Sequence, residues 1–414
     1  MSSSQNTRLP PVKRAATGSR RRPSLSDFGA MRQDEVARFA HFLHEADPLA
    51  DNLVEALGRQ PAGRGRRLLD TALDQGLETV DTPPAAMIEL FQQVDRVPPW
   101  VDWDMIDRGG SIFLRSGGLG IAALSLLALP LTYSSGVGTK PLVFTGHLLR
   151  RAPRRLAETA RFAVETSRPG GLRRFGQGFK FTIKVRLMHA QVRRLLGRSG
   201  RWNPEWGAPI NQAFLAGTNF AMSLGLIEGV RQLGFRVTRN EAEALLHLWR
   251  YSGYLMGVDQ QLLCSTEAEG RRLGLAIFAV GAPVDADSRA LVKALMTANY
   301  FPEYEVGWRG AAAYGLSRAL IGHELADMLG YPKNRWHWAV AATRPLVSAG
   351  WLVQRAVPRG EAWATDLGGR IWDGIIDRIL AGARADFRAP ERLENMPQGE
   401  GHDDQQRARA SQHT

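Results

Sequence analysis

Apolar residues recur at helical spacing from Phe39 almost to the C-terminus, and alternating patterns long enough for β-strands are scarce. A chain of 414 residues with 44% hydrophobic content can bury a large core, so the pattern implies an all-α fold. Asp34 is placed to cap a helix carrying Val36, Phe39, Ala40 and Leu43, and Thr82-Pro83 to open one carrying Met87, Leu90, Phe91 and Val94. Further helices are expected over 103–115, 119–129, 140–150, 153–167, 180–196, 209–234, 238–256, 266–280, 284–299, 309–329, 338–352 and 370–384. No repeat and no Pro/Ser-rich linker divides the middle, so one domain is expected over 30–388. A basic, disordered tail over 1–29 and a polar tail over 389–414 flank it.

Two uncharged runs, Ser116 to Thr139 and Trp206 to Ile227, approach membrane-spanning length. The first holds Pro130 and five glycines, and the second holds Asn211, Gln212, Thr218 and Asn219, so buried helices rather than transmembrane segments are expected. Arg20, Arg21 and Arg22 are followed by Ser24, Asp27 and Arg32 rather than an apolar stretch. No export signal is therefore read, and a cytoplasmic location is expected.

The formal charge of +12 is unevenly placed. Residues 1–26 hold six Lys/Arg and no acid, and residues 150–201 hold fifteen against Glu158 and Glu165. The second segment lacks aromatic interleaving and a docking motif, so no specific nucleic-acid partner is expected.

Counting removes several chemistries. The single Cys264 allows no internal disulfide, zinc knuckle, iron–sulfur ligand set or covalent haem. Zincin, di-iron, P-loop and nucleophile-elbow signatures are absent, and Gly118-Leu119-Gly120 sits in a helix-like run rather than after a strand. His41 and His44, three apart, lack an evident third metal ligand, and His323 beside Glu324 fits a helix-surface network.

His189 differs because of its helix. Phe181, Val185, Met188, Val192 and Leu196 form an apolar stripe, and His189, four after Val185 and three before Val192, borders it. The alternative is a core histidine bonded to a backbone carbonyl. Arg155 and Thr159, four apart on the preceding helix, share a face with Phe162 and Ala163. A guanidinium and a hydroxyl there can stabilise negative charge developing on iron-bound dioxygen, or can be an exposed Arg and a helix-interior Thr. Ala213, Gly217, Ala221, Gly225 and Gly229 recur every fourth residue after Pro209. That smooth strip suits a tightly packed helix or a flat cofactor.

The ordered series Arg155, Thr159 and His189 within Val185-Arg186-Leu187-Met188-His189-Ala190-Gln191-Val192-Arg193 resembles the latex-clearing rubber oxygenases and related MpaB-type oxygenases. Similar stretches are Val97 to Asp102, Thr145 to Leu148, Trp206 to Gln212 and Leu248 to Gly257, so the resemblance covers about residues 85–265. It implies a globin-related core holding non-covalent haem b, with His189 as iron ligand and Arg155 and Thr159 on the open face; the small-residue strip then offers Gly217 and Ala221 as residues against the cofactor. The implied activity is oxidation or cleavage of C=C bonds in an apolar, polyisoprene-like substrate by dioxygen. A haem-based gas sensor or carrier is the alternative. Two departures stand out: Glu158 occupies the place of a lysine found in some rubber oxygenases, and Gly138-Thr139-Lys140 replaces an acidic residue.

Overall fold

The computed structural model describes residues 37, 39–146, 152–298, 307–383, 385 and 387. Both expected tails, the Asp34 cap, His147, His402 and His413 lie outside the described residues. Within them every regular element is helical, as the spacing of apolar residues predicted. Helices α1 (Pro48–Gly58), α2 (Arg64–Asp74) and α3 (Ala85–Asp95) precede a long α4 (Trp103–Ala123). This passes through a π-helical turn (Leu124–Ala128) into α5 (Leu129–Thr132). Then follow α6 (Gly136–Thr145), α7 (Ala152–Ser167), α8 (Gln177–Arg198) and α9 (Gln212–Phe220), which continues through a second π turn (Ala221–Gly225) into α10 (Leu226–Gln232). The C-terminal half comprises α11 (Arg239–Leu255), α12 (Glu267–Val280), α13 (Ala286–Met296), α14 (Gly307–Ile321), α15 (His323–Met328), α16 (Trp338–Ala356) and α17 (Gly360–Leu380).

Helix α4 is the centre of the packing, touching α7, α10, α11 and α17. Glycine lets the backbones meet: a Cβ on Gly110 would lie 2.0 Å from the Ser167 carbonyl oxygen on α7. Backbone cannot yield as a flexible side chain does, so Gly110→Ala is expected to lower stability by about 1–3 kcal/mol. Gly118→Ala on the same helix, with open space around it, should leave the melting temperature nearly unchanged. Thermal unfolding of the pair checks this.

The two uncharged runs pack against each other in antiparallel fashion. A Cβ on Gly225 would approach Ala128 and one on Gly229 would approach Ala123, so the far end of the small-residue strip serves helix packing. Trp103–Thr132 and Gln212–Gln232 are long and apolar enough to cross a bilayer, and 61% of each apolar window is buried inside the molecule.

Several local readings need correction. Thr82 has a left-handed φ of 49°, and α3 starts at Ala85 behind Pro84. Pro209 lies before its helix; Ile210 turns the chain at φ 50°, and Asn211 caps α9 by accepting from Phe214 N. The helix expected over 309–329 breaks at Gly322, φ 92°, and α17 begins ten residues earlier than expected. Helices α1 and α2 were not anticipated. Asp47-Pro48, a cap followed by a first-turn proline, was the signal for α1.

Much of the basic segment is paired with acids from other parts of the fold. From α8, Lys180 pairs with Asp74 at 2.5 Å and Lys184 with Asp70 at 2.9 Å. In the α7–α8 connection Arg174 pairs with Asp95 at 2.6 Å. Arg186 and Arg193 are buried and bridge to Asp47 and Asp51 of the α1 region at 2.6 and 2.8 Å. From α7, Arg161 reaches Asp373 and Asp377 on α17, and Arg168 joins it at Asp373. The cations that form a block in sequence are thus distributed among acids from distant elements.

Candidate active site

Between α7, α8, α9, α11 and α12 lies a cavity of about 1090 Å³. That volume is at the upper end of small-molecule and cofactor sites. Its walls are mainly apolar, with Phe162, Val185, Met188, Val192, Phe214 and Trp249 among them, and its lining extends to Ile321–Glu324 at the α14–α15 break, where His323 and Glu324 are exposed. His189, Arg155, Thr159, Gly217 and Ala221 all line it, so the tertiary structure brings these five residues to one cavity.

The apolar stripe of α8 turns Val185, Met188 and Val192 toward the cavity and carries His189 with them. The ring is part-buried and lines this cavity. Burial, reinforced by the Arg193 and Arg155 guanidiniums, pushes the imidazole down to about 3, so it is neutral at physiological pH. Nδ1 is buried with no hydrogen-bond partner. The core histidine satisfied by a carbonyl, weighed as the ordinary alternative, is therefore not what that nitrogen shows. An unsatisfied buried polar atom costs about 1–3 kcal/mol, which calls for a reason at this position.

Arg155 and Thr159 occupy one face of α7, as their spacing predicted. Arg155 Nη1 donates to Glu158 Oε2 at 3.2 Å, and Nη2 lies 3.4 Å from Met188 Sδ. Glu158, buried, also accepts from Arg154 Nε at 3.2 Å, so one carboxylate pins two guanidiniums at the cavity wall. The Thr159 hydroxyl donates to the Arg155 carbonyl at 3.1 Å, the helix-interior bond noted as its alternative. Its oxygen can accept a hydrogen bond, but to donate one into the cavity it must rotate out of this bond. The small-residue strip divides: Ala213 is core, Gly217, Ala221 and Gly225 line the cavity, and Gly229 packs on α4.

Asn211 and Gln212 find partners near the cavity floor. Asn211 donates to Ala208 O, while Gln212 donates to Ala46 O and Gly257 O and accepts from Asp259 N. They organise the loop before α9 rather than face a ligand. Sequence reasoning missed Trp249 as a site residue. It is buried on the cavity wall between Phe113 and Phe162, and its indole N–H has no partner. His323, read as part of a surface network, is an exposed residue of the cavity lining. At 138–140, Gly138 lines the cavity and Lys140 bonds to Asp285 and Asp287, so no carboxylate enters from there. Burial pushes the Cys264 thiol up to about 12 and leaves it unreactive.

Among the described residues no group of three or more His, Cys, Asp and Glu could hold a metal ion. A metal beside His189 would therefore take its other ligands from a prosthetic group. One neutral imidazole, apolar walls and a close-approach backbone at Gly217 and Ala221 fit a porphyrin.

Residues 110–355 match the family model described as ER-bound oxygenase mpaB/B'/Rubber oxygenase, catalytic domain. A rubber oxygenase of Streptomyces sp. (strain K30) is 26% identical over 293 residues, 70% of each chain. The structure of latex clearing protein LCP in the closed state aligns with a TM-score of 0.62 at 22% identity, covering 81% of this chain and 91% of that one. This last likeness concerns the fold, which is all-helical as expected. The family match reaches well beyond the stretch in which the sequence resemblance was legible, to the end of α16.

Proposed function

We propose that this chain, which belongs to the family of mpaB/B' oxygenases and rubber oxygenases, is a haem b oxygenase that attacks C=C bonds of an apolar, isoprenoid-type substrate with dioxygen. The observation that carries this reading is His189: a neutral, part-buried imidazole on the wall of a large apolar cavity whose described residues supply no other metal-ligand set.

Haem b would supply the redox-active iron that dioxygen requires to react with an alkene. His189 would hold it, and neutrality suits that task because no proton competes for the ring in the physiological range. Gly217 and Ala221 would let a flat group approach the α9 backbone. Arg155, held by Glu158, offers a fixed positive charge where oxygen develops negative charge, and costs little reorganisation because it is already oriented. Thr159 would accept a hydrogen bond beside it. Phe162, Met188, Val192 and Phe214 would exclude water and receive the hydrocarbon.

The full chain reconstituted with haemin is expected to develop a Soret band. It should then consume dioxygen in the presence of polyisoprene latex or short isoprenoids, with carbonyl products. Failure to take up haemin would end the proposal. Reversible gas binding without carbonyl products would instead favour a haem sensor or carrier.

A further inference from the structure

Helix α16 meets the protein along one side, through the buried Val340, the partly covered Val347 and Trp351, and the Ser348 hydroxyl, which donates to the Gly234 carbonyl at 2.9 Å. The opposite face is apolar and turned outward. Trp338, Ala342, Leu346, Ala349 and Val353 fall within one quadrant of the helix, and all are exposed, Leu346 at 74% and Val353 at 62%. An amphipathic stripe normally faces a core, and this one faces away from it. The adjoining α17 exposes Trp363, Leu367 and Ile371, again one turn apart.

Charge identifies what covers this face. Between Met328 and Gly360 there are five cations and no acid: Lys333, Arg335, Arg344, Arg355 and Arg359, every one exposed, of which Arg355 pairs with Glu361 at the start of α17 at 3.6 Å. Arg344 and Arg355 lie off the apolar stripe, toward the side by which α16 meets the protein, and the other three cluster at its ends. With the stripe immersed in acyl chains, these cations stand at headgroup depth, the arrangement of an interfacial helix with Trp and Leu below and Arg and Lys above. An isologous second copy would set these cations against their own images. A neutral hydrocarbon surface gives them no counter-charge. The chain's own segment 389–414 has only Leu393 and Met396 as large apolar residues beyond it, too few to cover the face.

We propose that the outward face of α16 docks on an anionic phospholipid surface. It lies beside the cavity: the His337 ring at its N-terminal end is 5.9 Å from the ring of His323, an exposed residue of the cavity lining. This inference stands apart from the haem reading.

Flotation of the full chain tests it, with vesicles of phosphatidylcholine alone or with about a third phosphatidylglycerol. Binding to the mixed vesicles is expected to exceed that to neutral ones by about tenfold or more and to weaken with salt. Leu346→Glu/Val353→Glu, at positions that fill no core, should reduce it by about tenfold while the thermal melt stays unchanged. The proposal is overturned by flotation of that variant at the wild-type level, which would assign binding to the basic N-terminal residues. Equal or no binding to both vesicle types overturns it too, as does a dimer that the same substitutions disperse.

Discussion

The His189→Ala protein is expected to fold and to lack the Soret band that wild type gains with haemin. Folding should survive because Nδ1 makes no hydrogen bond in the protein, so truncation orphans no partner there and removes a buried unsatisfied atom. Cofactor affinity should fall by more than the roughly 10–100-fold that follows loss of an outer-shell partner, because the ligand itself is lost. Added imidazole, small enough for the vacated space, should restore part of the absorption. A variant that keeps an unaltered Soret band would remove His189 from the iron. The variant should also be less acid-sensitive. Between the ordinary value of 6.5 and about 3 the unfolded chain binds a proton that the folded ring refuses. His189 therefore costs stability as pH falls through that window, and its removal lifts that penalty. Chemical denaturation of both proteins at pH 7 and pH 4 measures the difference.

The second large effect is expected at Asp47. Its carboxylate takes two bonds from the buried Arg186, Nε to Oδ2 at 2.6 Å and Nη2 to Oδ1 at 2.9 Å, and caps α1 through Ala50 N. Arg186 Nη1 donates further to Gln93 Oε1 and to the Leu255 carbonyl, so one guanidinium ties α8 to α1, α3 and α11 behind the wall that carries His189. Asp47→Ala leaves that cation buried without its counter-charge and is expected to cost about 3–5 kcal/mol. Adding Arg186→Met should recover part of the loss, because the double variant buries no lone charge and keeps an apolar stem in its place. Equal destabilisation of the single and double variants would show that the cap and packing, not the orphaned cation, dominate. Urea unfolding of the three proteins decides it.

The helices of this protein, and the candidate ligand on one of them, were legible because they depend on spacing along the chain. The stripe through Val185, Met188 and Val192 fixes which side of α8 is apolar, and His189 must travel with it. Arg155 and Thr159 share a face for the same reason. Spacing also carried the family resemblance, which the matched region 110–355 extends. What spacing cannot encode is which distant element a face meets. The cations from Lys180 to Arg193 read as a basic block, yet folding gives Asp47, Asp51, Asp70 and Asp74 to them, since electrostatic pairing follows distance in space. The rotation of the small-residue strip through a π turn likewise depended on three-dimensional packing. So did the outward apolar face of α16: its sequence declares an amphipathic helix, but only the neighbours it lacks reveal that its stripe is uncovered.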